Sequence, residues 1–170
     1  NKRLENITNE LVSSILVMIK KMNKGDALKK IYEVVNRGKA AEKFEEMVSA
    51  LGGPRQILTS YQSDLPKASY IGKITASKSG FVHSIQTRDL GLILIELGGG
   101  RKQINDKINF SVGYEHVIDV GKAVDTSTPL VTVHTSSKED FEQVKENIQL
   151  CFEIKDDKAD KLATIYKRIN

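Results

Sequence analysis

The sequence contains no tryptophan, one cysteine and three prolines. Each shortage excludes something. With Cys151 alone, no disulfide can form within the chain, and a cysteine-based zinc site is ruled out. A lone thiol suits a reducing compartment. Long apolar runs are also missing. The most apolar stretch, "LVSSILVMI" (11–19), is interrupted by two serines and falls short of the ~20 residues that a spanning helix needs. No membrane role is expected from it. There is no long charge run of one sign: 26 basic residues are mixed with 22 acidic ones, for a net charge of +4. Mild, interspersed basicity points to no nucleic-acid partner. The chain starts "NKRLEN", without Met and without a signal-peptide layout, and is expected to be a piece of a longer protein.

What is present is a globular composition, 39% hydrophobic and 28% charged, enough for a core. Residues 4–22 carry Leu4, Ile7, Leu11, Ile15, Met18 and Met22 at helical spacing, with Val12, Leu16 and Ile19 widening the stripe. That width predicts a helix buried over most of its surface. "NKGD" (23–26) should end it at Gly25 and cap the next helix with Asp26. Leu28, Ile31, Val34 and Val35 mark that second helix, which stops at Gly38. Ala40, Ala41, Phe44, Met47, Val48 and Leu51 mark a third, which stops at "GGP" (52–54).

After a linker at 61–65 the texture changes. "ASYIGKITA" and "GFVHSI" are short β-rich runs joined by "SKSG", a hairpin signal. "TRDLGLILIEL" (87–97) predicts a helix capped by Thr87, with Leu90, Ile93, Leu94 and Leu97 on one face and Leu94 at its centre. Strands are expected within "INFSV", "HVIDVGKAV" and "PLVTVH". "SSKEDFEQVKENIQLCF" (136–152) predicts a last helix with Phe141, Val144, Ile148 and Cys151 inward. "KDDKADK" is a polar spacer, and "ATIYKRI" a final strand. The fold class is therefore α+β: a helical segment over 1–60, a mixed domain over 66–154, and a spacer with a terminal strand over 155–170.

Catalytic patterns are wanting. Gly98, Gly99 and Gly100 precede Arg101 and Lys102 and invite comparison with a phosphate cradle. No GK[ST] follows at P-loop spacing, and Gln103 stands where a dinucleotide motif needs glycine. Polarity also opposes the idea. A helix over 87–97 would present its C-terminus there, with carbonyls and partial negative charge. A glycine stop leading into a mobile surface loop is the better reading. His83, His116 and His134 form no helical i, i+4 pair, and no carboxylate–His pair has metal-ligand spacing. His83 and His134 are expected as satisfied, half-buried rings. No G-x-S-x-G elbow or Cys–His signature occurs. The cadence of "VIDVGKAVDTSTPLVTVH" with "SGFVHSI" is similar to the halves of a biotinyl/lipoyl carrier, a non-catalytic alternative. A helix and glycine loop stand where that carrier has its lysine-bearing hairpin.

Five stretches follow one another in a telling order: "RGKAAEKFEEMVSALGGP" (37–54), "LPKASY" (65–70), "SGFVHSIQTRDLGLILIELGGGRKQINDKINFSVGY" (79–114), "VGKAVDTSTPLVTVH" (120–134) and "TIYKRI" (164–169). Together they resemble the C-terminal part of the thymidine phosphorylases, within the pyrimidine-nucleoside phosphorylase family. "GGGR" (98–101) is nearer to that branch than to the broader uridine/thymidine enzymes.

The resemblance implies a cytoplasmic homodimer that uses phosphate to split thymidine into thymine and 2-deoxy-D-ribose 1-phosphate, without an organic cofactor. It implies that 1–60 belongs to the large α/β phosphate-binding domain and 66–154 to an α/β-hammerhead domain. It also implies an upstream all-α domain holding the dimer contact. The family's Lys-His-Ser-Thr-Gly-Gly phosphate motif and its base-binding Arg, Ser and Lys have no match in this sequence. No catalytic, phosphate-binding, base-binding or metal-binding residue is therefore assigned. Gly98, Gly99, Gly100 and Arg101 are expected as a loop that approaches the cleft. "VDTST" (124–128) departs from the family's usual Gly before Pro-Leu, so the turn there needs another means of support.

Overall fold

A computed structural model describes residues 2–160, 163–167 and 169. The chain divides into two compact units, Asn1–Asp64 with Ala163–Asn170, and Leu65–Leu162. Helices and small antiparallel sheets give the α+β class that the residue pattern predicts.

The first unit holds α1 (Lys2–Lys20), α2 (Lys24–Asn36), α3 (Lys39–Ala50) and α4 (Ile57–Asp64). Packing of α1 on α2 buries small side chains: Ser13 and Ala27 are the buried residues of these helices. The expected burial of α1 does not occur. Leu4, Leu11, Ile15, Met18 and Ile19 are all exposed, because one neighbouring helix covers only a narrow strip of so wide an apolar face.

The caps also differ from expectation. Lys21, with φ +50°, follows the end of α1, and Gly25 lies inside α2. Asn23, not Asp26, is the N-cap. Its Oδ1 accepts the Asp26 N–H at 2.9 Å, and its Nδ2 donates to Asp26 Oδ2 at 2.7 Å. The two side chains thus support one another, as in a capping box. Gly38 (φ +74°) and Gly52 (φ +87°) follow α2 and α3 as the sequence predicts.

The linker expected at 61–65 is helical up to Asp64. Ser60 and Thr59 hydroxyls donate to the Gln56 carbonyl and Ser63 Oγ to that of Ser60. Their polar groups thus bond back onto the helix instead of opening a turn.

The second unit contains β1 (Tyr70–Thr75), β2 (Gly80–Ile85), α5 (Thr87–Glu96), β3 (Gly113–Glu115), β4 (Ala123–Val124), β5 (Pro129–Thr135), α6 (Lys138–Leu150) and β6 (Phe152–Lys155). Two three-stranded antiparallel sheets have the orders β1-β5-β3 and β4-β2-β6. Helix α6 packs on β1 and β5, and α5 packs on α6. One core joins them: Ile74, Val82, Leu90, Ile93, Leu130, Val131, Val133, Phe141, Val144, Ile148 and Ile154 are all buried. Along β1, buried Gly72 and Ile74 alternate with exposed Ile71 and Lys73, the period of a strand with one covered face. Central β5 breaks that period, with Leu130 through Val133 buried in succession.

Helix α6 starts where its sequence says it should. Ser137 Oγ accepts the Asp140 N–H at 3.0 Å, and Phe141, Val144, Ile148 and Cys151 are buried as expected. The hairpin expected at "SKSG" does not form. β1 pairs with β5, whereas β2 pairs with β4 and β6. Gly80 has φ +148°, and a Cβ there would lie 2.5 Å from the Lys155 carbonyl oxygen. This glycine lets the chain leave one sheet and enter the other against the backbone of β6.

"INFSV" is irregular, held by Asn109 Oδ1 accepting from the Ser111 N–H and hydroxyl; the strand begins only at Gly113. Most of "HVIDVGKAV" is likewise irregular, with φ positive at His116 and Gly121. The segment 152–155, expected as helix end and spacer, is β6. The terminal strand expected at 163–169 falls partly outside the described residues, and those described there are not in a strand.

Candidate functional site: the loop after α5

Helix α5 opens without a side-chain cap. Gln86 occupies the N-cap position and Thr87 is the first helical residue, so Thr87 does not cap it. Leu90 and Ile93 are its buried positions. Leu94, expected at the centre of the stripe, is only half-buried, because the helix turns it toward the glycines that follow. Gly98 has φ +92°. Its N–H donates to the Ile95 carbonyl at 3.0 Å, and the Gly99 N–H donates to that of Leu94 at 2.9 Å. This paired closure is a Schellman stop. A Cβ on Gly99 would meet Leu94 Cδ1 at 2.7 Å, and one on Gly100 would meet Ile95 Cγ1 at 2.6 Å. All three glycines thus have a local structural reason.

The loop then closes on itself. The Asn109 N–H donates to the Gly98 carbonyl at 2.8 Å. Asp106 Oδ2 accepts the N–H groups of Lys102 (3.0 Å) and Gln103 (2.9 Å), and the Asp106 carbonyl accepts Arg101 Nε–H at 3.2 Å. Amides at 98, 99, 102 and 103 therefore point into the protein's own carbonyls and carboxylate. A phosphate cradle works by aiming such amides outward. Arg101 is exposed.

The histidines are scattered. His134 on β5 has Nε2 3.2 Å from Glu115 Oε2, and His116 has Nδ1 3.6 Å from Glu115 Oε1. His83 lies where the β2–β6 register shifts, and its buried Nδ1 lacks a partner among the described residues. The expectation of a satisfied ring therefore holds for His134 and not for His83. Among the described residues no three-ligand His, Cys, Asp or Glu cluster occurs, and no helix is long and apolar enough to cross a membrane.

Tyr114 on β3 ties the sheet to α5 by donating its hydroxyl to the Leu90 carbonyl at 3.0 Å. Burial first, then the negative charge that Cys151 takes on only at high pH and that of Glu96, push its phenol far above its ordinary range, so it stays a neutral donor. "VDTST" finds its support in side chains. Asp125 Oδ1 accepts from the Ser127 N–H (2.9 Å), the Ser127 hydroxyl (2.7 Å) and the Thr128 hydroxyl (2.8 Å). Those bonds, the Ser127 hydroxyl first, hold the Asp125 carboxyl below its usual range.

Cys151 is buried, with Sγ donating to the Asn147 carbonyl at 3.2 Å. Burial first, and the Asp89 charge second, raise its pKa. A neutral, enclosed thiol is a poor nucleophile. Labelling with a thiol reagent at neutral pH should be at least about a hundredfold slower in the native protein than in urea, because reaction must wait for local opening. Comparable rates in the two conditions would place the sulfur at the surface.

Residues 81–155 match the family model described as the pyrimidine nucleoside phosphorylase C-terminal domain. The matched span is similar to a pyrimidine nucleoside phosphorylase C-terminal domain and covers less than half of the chain. The match runs from β2 to β6 and takes in α5, the glycine loop and α6. The match supports an enzyme of the phosphorylase family as the protein to which these residues belong. The matched residues contribute buried packing and one exposed basic loop, and the resemblance read from "GGGR" falls among them. The Asp106 clasp was missed by sequence reasoning. Its signal was an Asx-turn former placed shortly after a glycine-led basic loop.

Proposed function

We propose that the chain is part of a thymidine phosphorylase. In that reaction inorganic phosphate attacks C1′ of thymidine, the C1′–N bond breaks, and the base leaves as thymine with its nitrogen protonated. What carries the thymidine reading is the run Gly98–Arg101, within a matched domain. On this reading the catalytic and phosphate-binding groups come from the upstream part of the enzyme. The parent is a cytoplasmic homodimer through its all-α domain and needs no organic cofactor. Residues 66–154 form the hammerhead domain. Gly98, Gly99, Gly100 and Arg101 approach the cleft as the domains close, since closure is a common way to exclude water and complete a site. The exposed guanidinium offsets the unfavourable carbonyl end of α5.

The test is release of free base. The isolated chain should release no thymine from thymidine and phosphate, and the full-length enzyme should release it faster than it releases uracil from uridine. Turnover by the isolated chain would place the active site within it. Equal rates on the two nucleosides would favour the broader pyrimidine-nucleoside enzyme. Arg101→Ala in the full-length enzyme should lower kcat/KM by roughly 10- to 100-fold, the range expected for a hydrogen bond to a charged group.

A further inference from the structure

We infer that Asp106 is a positioning residue for Arg101, one that holds its guanidinium in a single orientation by clasping the loop. The inference rests on the reading above that this loop faces the cleft. Four hydrogen bonds converge on Asp106. Its Oδ2 accepts the N–H groups of Lys102 and Gln103, its N–H donates to the Gln103 carbonyl, and its carbonyl accepts Arg101 Nε–H. It is half-buried, whereas residues 101–105 are exposed. The base of the loop is pinned separately. Asn109 donates its N–H to the Gly98 carbonyl and its Nδ2 to Ser136 Oγ at 2.9 Å, just ahead of α6.

The sequence gives this loop little else to order it. Three glycines supply no side chains, and Ile104 is 91% exposed and buries nothing. A long arginine on such a support would lose rotamer freedom on meeting its target. Engaging Nε on a fixed carbonyl removes part of that freedom in advance. It also leaves the Nη1/Nη2 edge, the edge suited to two oxygens of a phosphate or carboxylate. The carboxylate of Asp106 acts through backbone geometry and has no contact of its own with substrate.

Two experiments separate this inference from the reading beneath it. In the 15N-labelled chain, Asp106→Ala should speed solvent exchange at Arg101 Nε–H and at the Lys102 and Gln103 amides by roughly 5- to 10-fold, the equilibrium value of one lost hydrogen bond. Asp106→Asn keeps an acceptor oxygen and should stay within about twofold of the parent chain. Both variants should melt with the parent, since the core lies elsewhere. Unchanged Arg101 Nε–H exchange in Asp106→Ala overturns the inference. So does Asp106→Asn behaving like Asp106→Ala, which would make the role one of charge.

In the full-length enzyme, Asp106→Ala should lower kcat/KM when Arg101 is present and have no further effect in the Arg101→Ala background, the coupling expected of a residue that acts through another. Additive losses overturn the inference. Wild-type kinetics for Arg101→Ala would instead remove the cleft reading, leaving the exchange result as the judge of the clasp.

Discussion

Ile148→Ala should lower the unfolding free energy of the C-terminal unit by roughly 2–5 kcal/mol, the range for deleting a large aliphatic side chain from a closed core. Ile148 is 0% exposed. It lies on the face of α6 that also carries Phe141 and Val144, and α6 packs on both β1 and β5. Truncation would leave a void bounded by a helix and a sheet, and a lattice of short strands cannot collapse into it without breaking register. Urea unfolding followed by far-UV circular dichroism, the natural probe for a chain without tryptophan, should show a lower midpoint at an unchanged m-value. Leu150→Ala is the control. That side chain is 80% exposed two residues further on and should change stability by no more than about 0.5 kcal/mol. A loss at Ile148 below about 1 kcal/mol would mean that α6 does not close the core.

Gly72→Ala should cost roughly 1–3 kcal/mol through overpacking. This is a large effect for one added methyl group. Gly72 is a buried residue of β1. A Cβ there would stand 2.4 Å from Phe141 Cε2, 2.5 Å from Cζ and 2.8 Å from Cδ2. The obstacle is an aromatic ring with nowhere to swing. Phe141 is 3% exposed and lies against Tyr70, ring centroids 5.3 Å apart at 53°. Ordinarily Ala is the better residue in a strand, and it also reduces the freedom of the unfolded chain, a gain of up to about 1 kcal/mol. The clash exceeds that gain because sub-3 Å contact with a fixed ring cannot be relieved by a rotamer change. Phe141→Leu should cost stability alone, yet less than additively when combined with Gly72→Ala, since the smaller side chain makes room for the methyl. Thermal or urea unfolding of the four proteins gives the coupling. A Gly72→Ala protein as stable as its parent would show that α6 does not sit down on β1 at this point.

These two residues also mark how far the sequence could be read. Ile148 was legible. It falls at helical spacing from Phe141 and Val144, behind a serine N-cap, and a helix shows its inward face through contacts between residues three and four apart. The α+β class and the glycine stop after α5 were legible for the same reason. Each depends on residues close together in the chain. Gly72 carried no such mark, because its neighbour Phe141 lies far along the sequence. The site was legible in the same measure. Gly98 could be read as a helix end, whereas the clasp by Asp106 could not, since it depends on how the loop folds back onto its own amides.

What the sequence by itself determined, then, is the local inventory: most helices, the stops at Gly38, Gly52 and Gly98, and the inward face of α6 with Cys151 on it. Tertiary structure alone decided which strands pair. "SKSG" has the composition of a hairpin turn, yet β1 joins β5 and β2 joins β4 and β6. Phe152 and Ile154 become a strand only because β2 offers them a partner. Burial was decided the same way. A wide apolar face on α1 called for a cover that α2 supplies only in part, whereas the shorter face of α6 is closed by two strands. The physical reason is common to all three. A turn or cap is stabilised by bonds within a few residues, but a strand's ladder and a helix's buried face are stabilised by groups that only the folded chain brings alongside.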